Sequence, residues 1–532
     1  MSGTRRVLSL SKPATGGEPE PTDVRVPVGI FDVQLPARQF VVKYKAAEVG
    51  DVSLTTEFLL RLLYSADGLS EEIAADFFGF NANEMAYVVR DAEARAYISR
   101  SDGRIWLTDA GNALFKEGDK PQIYDVVKKT ERIGFDLLSL APCDRESQSE
   151  FERSLPELAI RDPNLVANAS RHIPESFRRF YGEISSRRDR EAVDQLKRSL
   201  YSVDDVVAGD RFAAIVPFVA MASVRRPSEP EALLEKWRTG QELADRDRVV
   251  HGVAEFLENL RTLKTPEDAN AFDVLATIAP EYLKEYVNRS GFAPLRYFKA
   301  LAGRAGELRR NRPTVGIVGA LYQPENAERI ATAIGYANDR ALGNDDVFLW
   351  VVPKQPAWGA SRSFLDLLET LAKEGVDIDA TGRKMERSPI LIDEGKPQWR
   401  LIKAAPRTYC RPNTGAIPSS LEVLLIPRRV SAVVVHAPIG EDRGFPIPLG
   451  ILSFDATIVR RVHQYLTDHL PAEVTKYGSM DGFNARSCLE WSQDTGAEAV
   501  PNSETSKKRL PASNGLEGHD GFYNRQQKGK SR

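Results

Sequence analysis

Apolar side chains recur at helical intervals between residues 54 and 116. Leu54, Phe58, Leu59, Leu62 and Leu63 form one stripe and predict a first helix with a buried face. Ser70 suits the cap of a second, short helix carrying Ile73, Ala74, Phe77 and Phe78, with Glu71 and Glu72 in its first turn and Gly79 at its end. Asn81 followed three residues later by Glu84 fits a capping box for a third helix. That helix buries Met85, Val88, Val89 and Ala92, spaced i, i+3, i+4 and i+7. Two short strands, Tyr97–Arg100 and Arg104–Leu107, are joined by Ser101-Asp102-Gly103, a hairpin turn signal, and Thr108 caps a last helix through Phe115.

Upstream, Val24–Lys45 reads as short extended segments broken by Pro27, Gly29 and Pro36, an N-terminal hairpin. Residues 117–312 read as mainly helical, with helical patterns at Phe151–Leu158, Ile173–Ser185, Arg190–Leu200, Glu231–Ala244, Arg246–Leu263, Pro266–Asn288 and Leu295–Arg310. The β-branched clusters of Leu200–Met221 suit two strands. From Pro313 strand and helix alternate: Thr314–Ala320, Ala327–Ala337, Val347–Val352, Phe364–Lys373 and a short strand Val376–Ile378. This implies an α/β layer. Strand-like runs follow at Ile390–Ile392, Trp399–Ile402, Leu421–Ile426, Ala432–His436 and Leu449–Phe454, and Thr457–Leu470 is a closing helix.

The helix, helix, helix, β-hairpin order is the winged helix-turn-helix pattern. The stretch Gly103-Arg-Ile-Trp-Leu-Thr-Asp-Ala-Gly-Asn-Ala-Leu-Phe115 resembles the wing strand and "L-T-x-x-G" helix start of bacterial winged-helix domains. Further on, Tyr409-Cys-Arg-Pro-Asn413, Leu421-Glu-Val-Leu-Leu-Ile-Pro427, Val433-Val-Val-His-Ala-Pro-Ile-Gly440 and Pro448-Leu-Gly-Ile-Leu-Ser-Phe-Asp455 resemble the last strands of a GAF-like sensor domain. That likeness implies a small ligand between sheet and loops and fixes no ligand residue. The expected fold class is multidomain α+β. It comprises a disordered N-terminus at 1–22, a hairpin plus winged helix at 23–116 and a mainly helical middle at 117–312. A C-terminal α/β domain with a mixed sheet covers 313–476, followed by a polar, disordered tail at 477–532.

The winged-helix likeness implies that the third helix meets a macromolecule. Its outward positions include Asn83, Tyr87 and Arg90, with Arg95 just before the wing and Arg100 and Arg104 on it. Arg90 suits a guanine edge, and Asn83 suits adenine or phosphate. Charge opposes DNA: residues 54–116 hold ten acids against six bases, whereas strong non-specific affinity needs several neutralised phosphates. DNA and a partner protein therefore both stay open. The whole chain of 532 residues carries 72 basic and 75 acidic side chains, which excludes a polybasic binder held by bulk charge. Arg178, Arg179, Arg187, Arg188 and Arg190 near Phe177, Phe180 and Tyr181, and Arg296 to Arg312 near Tyr297 and Phe298, are either solvated helix faces or grooves for nucleic acid.

Catalytic signatures are absent from the sequence. Gly316-Ile-Val-Gly319 is neither G-x-G-x-x-G nor a Walker loop. No histidine has Lys two residues on, which excludes an active phospholipase D-type nuclease. Six histidines and the scattered Cys143, Cys410 and Cys488 give no zinc spacing and no disulfide framework, so no metal or cofactor is expected. No secretory signal or membrane span is evident, which predicts a cytoplasmic protein without a membrane partner. The leading expectation is a regulator or sensor that binds DNA or a partner protein through the winged helix, with a small ligand at the C-terminal domain. The alternatives are a non-catalytic subunit of a bacterial defence or DNA-processing complex, and an enzyme with an unrecognised or degenerate α/β site.

Overall fold

A long antiparallel sheet receives both ends of the 54–115 unit. Its central strand, β1 (Arg25–Val49), runs unbroken for 25 residues where the sequence suggested a hairpin of short pieces. In this computed structural model the described residues are 24–49, 54–115, 124–188, 198–303, 306–340, 347–374, 389–396 and 398–476. Short stretches at 121, 377–378, 384–385, 482–485 and 489 are also described. They fall in one compact unit, Met1–Glu490. The expected disorder at 1–22, Arg190 and the tail beyond residue 490 lie outside them.

Pro27, Gly29 and Pro36 do not end β1, because its hydrogen-bonding partners are remote in sequence and register shifts absorb the irregularities. The strand β6 (Arg198–Ser223) pairs along one edge, with shifts at Pro27/Gly29, Arg38/Phe40, Lys43/Tyr44 and Lys45/Ala46. The strand β5 (Tyr124–Asp136) pairs along the other, and the Pro36 carbonyl accepts from the Leu137 N–H at 2.8 Å. β6 is likewise one strand of 26 residues rather than two. Phe40, Val42, Tyr44 and Ala46 alternate inward and bury Ile173, Phe177, Phe180 and Ile184 of the helical segment that follows β5. The middle of the chain thus contributes long strands as well as helices.

Residues 54–115 follow the predicted order closely. They form α1 (Leu54–Ser65), β2 (Leu69–Ser70), α2 (Glu71–Phe78), α3 (Ala82–Ala94), β3 (Ile98–Ser101), β4 (Arg104–Leu107) and α4 (Asp109–Ala113). The three strands make a small sheet in the order β2-β4-β3. The Asn81–Glu84 capping box is present, and Gly79 closes α2 at φ 67°. Asp102 and Gly103, at φ 52° and 70°, form the two-residue turn between β3 and β4, and only that backbone lets the paired strands keep their twist. Met85, Val88, Val89 and Ala92 sit in the core with Leu59, Leu60 and Leu63.

Among the described residues the largest sheet has nine strands. In chain order we call them β8 (Thr314–Val318), β9 (Leu349–Val351), β10 (Ile390–Glu394), β11 (Thr408–Arg411), β12 (Leu421–Ile426), β13 (Val430–Ala437), β14 (Ile447–Ser453), β15 (Glu473–Lys476) and β16 (Gly482–Asn484), with β7 (Glu231–Leu233) at the edge of the long sheet. Their spatial order is β8-β14-β13-β12-β9-β10-β11-β15-β16. β9, β10 and β11 are mutually parallel and the other neighbours antiparallel, so the sheet is mixed as expected. Every residue of β12, β13 and β14 is buried, which explains their continuous apolar runs.

Several expected boundaries move. Trp399–Ala404 is a helix, not a strand. Glu231–Leu233 pairs with β6, leaving only Gly240–Ala244 helical in that stretch. The helix from Pro266 stops at Ile278 because Pro280 pushes Ala279 to φ −128°, ψ 58°. Phe151–Leu158 holds one 3-10 turn, Glu152–Ser154. Asp377–Ile378 pairs with Lys384–Met385 apart from the large sheet, and Gly482–Asn484, placed in the polar tail, adds its last strand. Helices from 117–312 cover this sheet: the Tyr297 hydroxyl donates to the Gly450 carbonyl at 2.9 Å.

Candidate functional site

α3 presents Asn83, Tyr87 and Arg90 on one outer face, at i, i+4 and i+7, and all three are exposed. Tyr87 is 72% exposed. Arg90 has no hydrogen bond or ion pair among the described residues. The other three predicted contacts turn back onto their own unit. The Arg100 Nε donates to Glu71 Oε1 at 2.6 Å, with Glu93 3.9 Å away. Arg104 donates to the Gly68 carbonyl at 3.1 Å, and Arg95 pairs with Asp91 at 3.5 Å one helical turn earlier. The structure therefore groups Asn83, Tyr87 and Arg90 and commits Arg95, Arg100 and Arg104 elsewhere.

Exposed apolar groups share this unit. Of the apolar residues carried by the second helix, Ile73 and Phe77 lie outside at 57% and 68% exposure, while Ala74 is buried and Phe78 partly so. Of the two adjacent apolar pairs of this eight-residue helix, 74/78 packs on the core of the unit and 73/77 faces out. Phe58, also assigned to the buried stripe, is exposed with the Arg61 guanidinium over its ring. The doubled apolar pairs of α2 are the signal by which the outward set is readable.

Among the described residues of the two arginine-rich stretches, Phe177 and Phe180 are buried against β1, Tyr181 is half-buried beside them, Tyr297 and Phe298 are fully buried, and Arg179 pairs with Asp245; the side chains of Arg187, Arg188, Arg190 and Arg304 lie outside the described ones. Base stacking needs a free ring face.

A second constellation lies in the large sheet. The His436 N–H donates to the Ser420 carbonyl at 2.8 Å, which sets Ser420, Glu422 and His436 on one face of β12 and β13. Glu422, wholly buried, takes the Trp350 indole N–H at 2.9 Å on Oε1 and lies 2.5 Å from His436 Nε2 through Oε2. Beside it, burial raises the Asp393 carboxyl above its ordinary range while the Glu394 and Gln398 N–H groups donate to it. Burial pulls the Arg400 guanidinium down to about 10; it donates to the Trp358 carbonyl. On the opposite face Arg411 and Glu394, each 1% exposed, pair at 2.7 Å, with the Lys354 ammonium 3.7 Å from the other Glu394 oxygen. Burial pushes the Cys410 thiol up to about 11, which keeps it protonated and poorly nucleophilic.

These groups cross-brace the loops at the carboxyl ends of β9, β10 and β13. Gln355 donates to the His436 carbonyl and Gln398 to the Gln355 carbonyl. Among the described residues no group of three or more His, Cys, Asp or Glu side chains is placed to hold a metal ion. A cavity of about 470 Å³ borders β8, but its carboxylates are engaged: Glu281 pairs with Arg461 at 2.7 Å and Asp455 caps Ala456–His469. No described helix is long and apolar enough to cross a membrane. No family model, curated protein or solved structure was found to match this chain.

Proposed function

We propose that this chain is a non-catalytic regulatory protein that engages a partner protein through a winged-helix unit at 54–115. One observation carries the reading. Arg95, Arg100 and Arg104 are occupied by carboxylates or carbonyls of the same unit, while Ile73, Phe77 and Tyr87 stand in solvent. Releasing an arginine to a phosphate would first break those contacts, in a unit whose acids already outnumber its bases. Aromatic and apolar anchors with few free charges suit the core of a protein interface.

The test is site-specific photo-crosslinking in the native host, with the probe amino acid at Phe77, at Tyr87 and at the remote Arg153 as control. The reading expects one discrete protein adduct from positions 77 and 87, absent at 153 and abolished by Ile73→Asp. Equal adducts at all three positions, or none at 77 and 87, would overturn it. A second reading, DNA contact through Asn83, Tyr87 and Arg90, rests on the Arg90 guanidinium on the outer face of α3, which has no ion pair among the described residues.

A further inference from the structure

We infer that the surface between the loop after β5 and the helix Asp247–Asn259 is a binding site for a free α-amino acid with an apolar side chain. Two cavities, of about 360 and 300 Å³, adjoin there and share Leu165, Asp247 and Arg248. The first lies within the size range of small-ligand sites. Leu137 and Leu138, both buried, line it together with Leu165.

The charges around the apolar lining sort into committed and uncommitted groups. Arg161 is held by Glu255 at 2.7 Å, and Arg179 by Asp245. Asp162 caps the helix Pro163–Ala167, accepting from the Asn164 and Leu165 N–H groups. Arg248 makes only a 3.4 Å contact, to the Leu138 carbonyl, and has no carboxylate partner among the described residues. The carboxylates of Asp247 and, in the second cavity, Glu175 have no hydrogen bond or ion pair among the described residues. Asp247 and Arg248 are both exposed and adjacent in sequence, yet they do not pair with each other.

Arg248 with the Asp247 and Glu175 carboxylates beside an apolar wall suits a zwitterion, the two carboxylates sharing its one ammonium; His251, held by the Asp247 carbonyl, and His172 also line the two cavities. The ligand carboxylate meets the Arg248 fork, its ammonium turns toward Asp247 and Glu175, and its side chain lies on Leu137 and Leu138. A simple anion would leave Asp247 and Glu175 unmatched, and a simple amine would leave Arg248 unmatched. This site is independent of the 54–115 unit, so it stands or falls apart from the partner reading.

The test is isothermal titration calorimetry of the full chain with L-leucine, N-acetyl-leucine, leucinamide and inorganic phosphate. Expected is saturable one-to-one binding of L-leucine. Each blocked form should bind at least about threefold more weakly, because each loses one charge contact with an exposed side chain. Arg248→Gln and Asp247→Asn, both on the surface, should each weaken L-leucine binding by a similar factor while the unfolding midpoint stays put. No heat with L-leucine, equal binding of a blocked form or of phosphate, or binding unchanged in both variants would overturn the assignment.

Discussion

Val49 pairs with Tyr124, so β1 and β5 are the two arms of one antiparallel ribbon and the 54–115 unit lies in the chain between their ends. Glu48 pairs on its other side with Arg198, at the start of β6. The unit therefore has a fixed point of departure and return on the long sheet. Its own core, from Leu59 to Phe115, is built from its own residues. A surface carried this way can meet another macromolecule without dismantling the sheet that bears it.

If Ile73 and Phe77 serve contact rather than folding, removing them leaves the isolated chain intact. Ile73→Ser and Phe77→Ser should each change stability by no more than about 0.5 kcal/mol, the usual range for exposed sites. Met85→Ala, in the core beneath α3, should cost about 2–5 kcal/mol. Urea unfolding of the purified chain distinguishes the two outcomes.

Gly111 occupies the glycine of the "L-T-x-x-G" stretch for a steric reason. A Cβ there would lie 2.1 Å from the Tyr97 carbonyl oxygen, a backbone atom that cannot swing aside. Gly111→Ala should destabilise the unit by about 1–3 kcal/mol, as overpacking does. Limited proteolysis should then show faster cleavage within 54–115 at unchanged resistance of β1 and β6.

The parts of the fold that were readable are those fixed by short-range chemistry. Asn81 with Glu84, Asp102 with Gly103, and Thr108 each act within three residues, so the order of elements in 54–115 follows from local sequence. β1 was not readable because its partners are far away: Phe40 pairs with Ile133 and Pro36 with Ala213, and nothing near Pro36 announces either. Trp399–Ile402 is too short for period two to be told from period 3.6; Leu401 turns inward and Trp399 out, as one helical turn allows. The buried network left a fainter trace. Glu422 inside Leu421–Ile426 and His436 after three valines are ionisable residues in strands otherwise apolar but for Ser431, and such residues need partners. Which partners they find depends on strand order, which the sequence does not spell out.

The buried Arg411–Glu394 pair predicts an asymmetry between single and double replacements. Glu394→Leu or Arg411→Met alone strands a buried charge and should cost about 3–5 kcal/mol. The double variant should recover most of that loss. Equilibrium unfolding of the four proteins checks this, and additive single effects would refute it.

Asp393 makes a signed prediction in pH. Burial raises its carboxyl above the ordinary value of 3.8, so the folded chain holds the proton more tightly than the unfolded one. Its contribution to stability is then greatest below 3.8 and declines as pH climbs from there through the raised value. Asp393→Asn keeps an acceptor for the Glu394 N–H but cannot ionise. Melting temperatures across that window should fall less steeply with rising pH in the variant than in the parent.

The engagement of Arg95, Arg100 and Arg104 by their own unit is tested most directly by duplex binding of the full chain, followed by fluorescence anisotropy at 50 and about 200 mM salt. A protein-binding unit predicts little association at either salt, unaltered by Arg90→Ala. Strong binding at low salt that collapses at high salt and weakens in the Arg90→Ala variant would contradict the account.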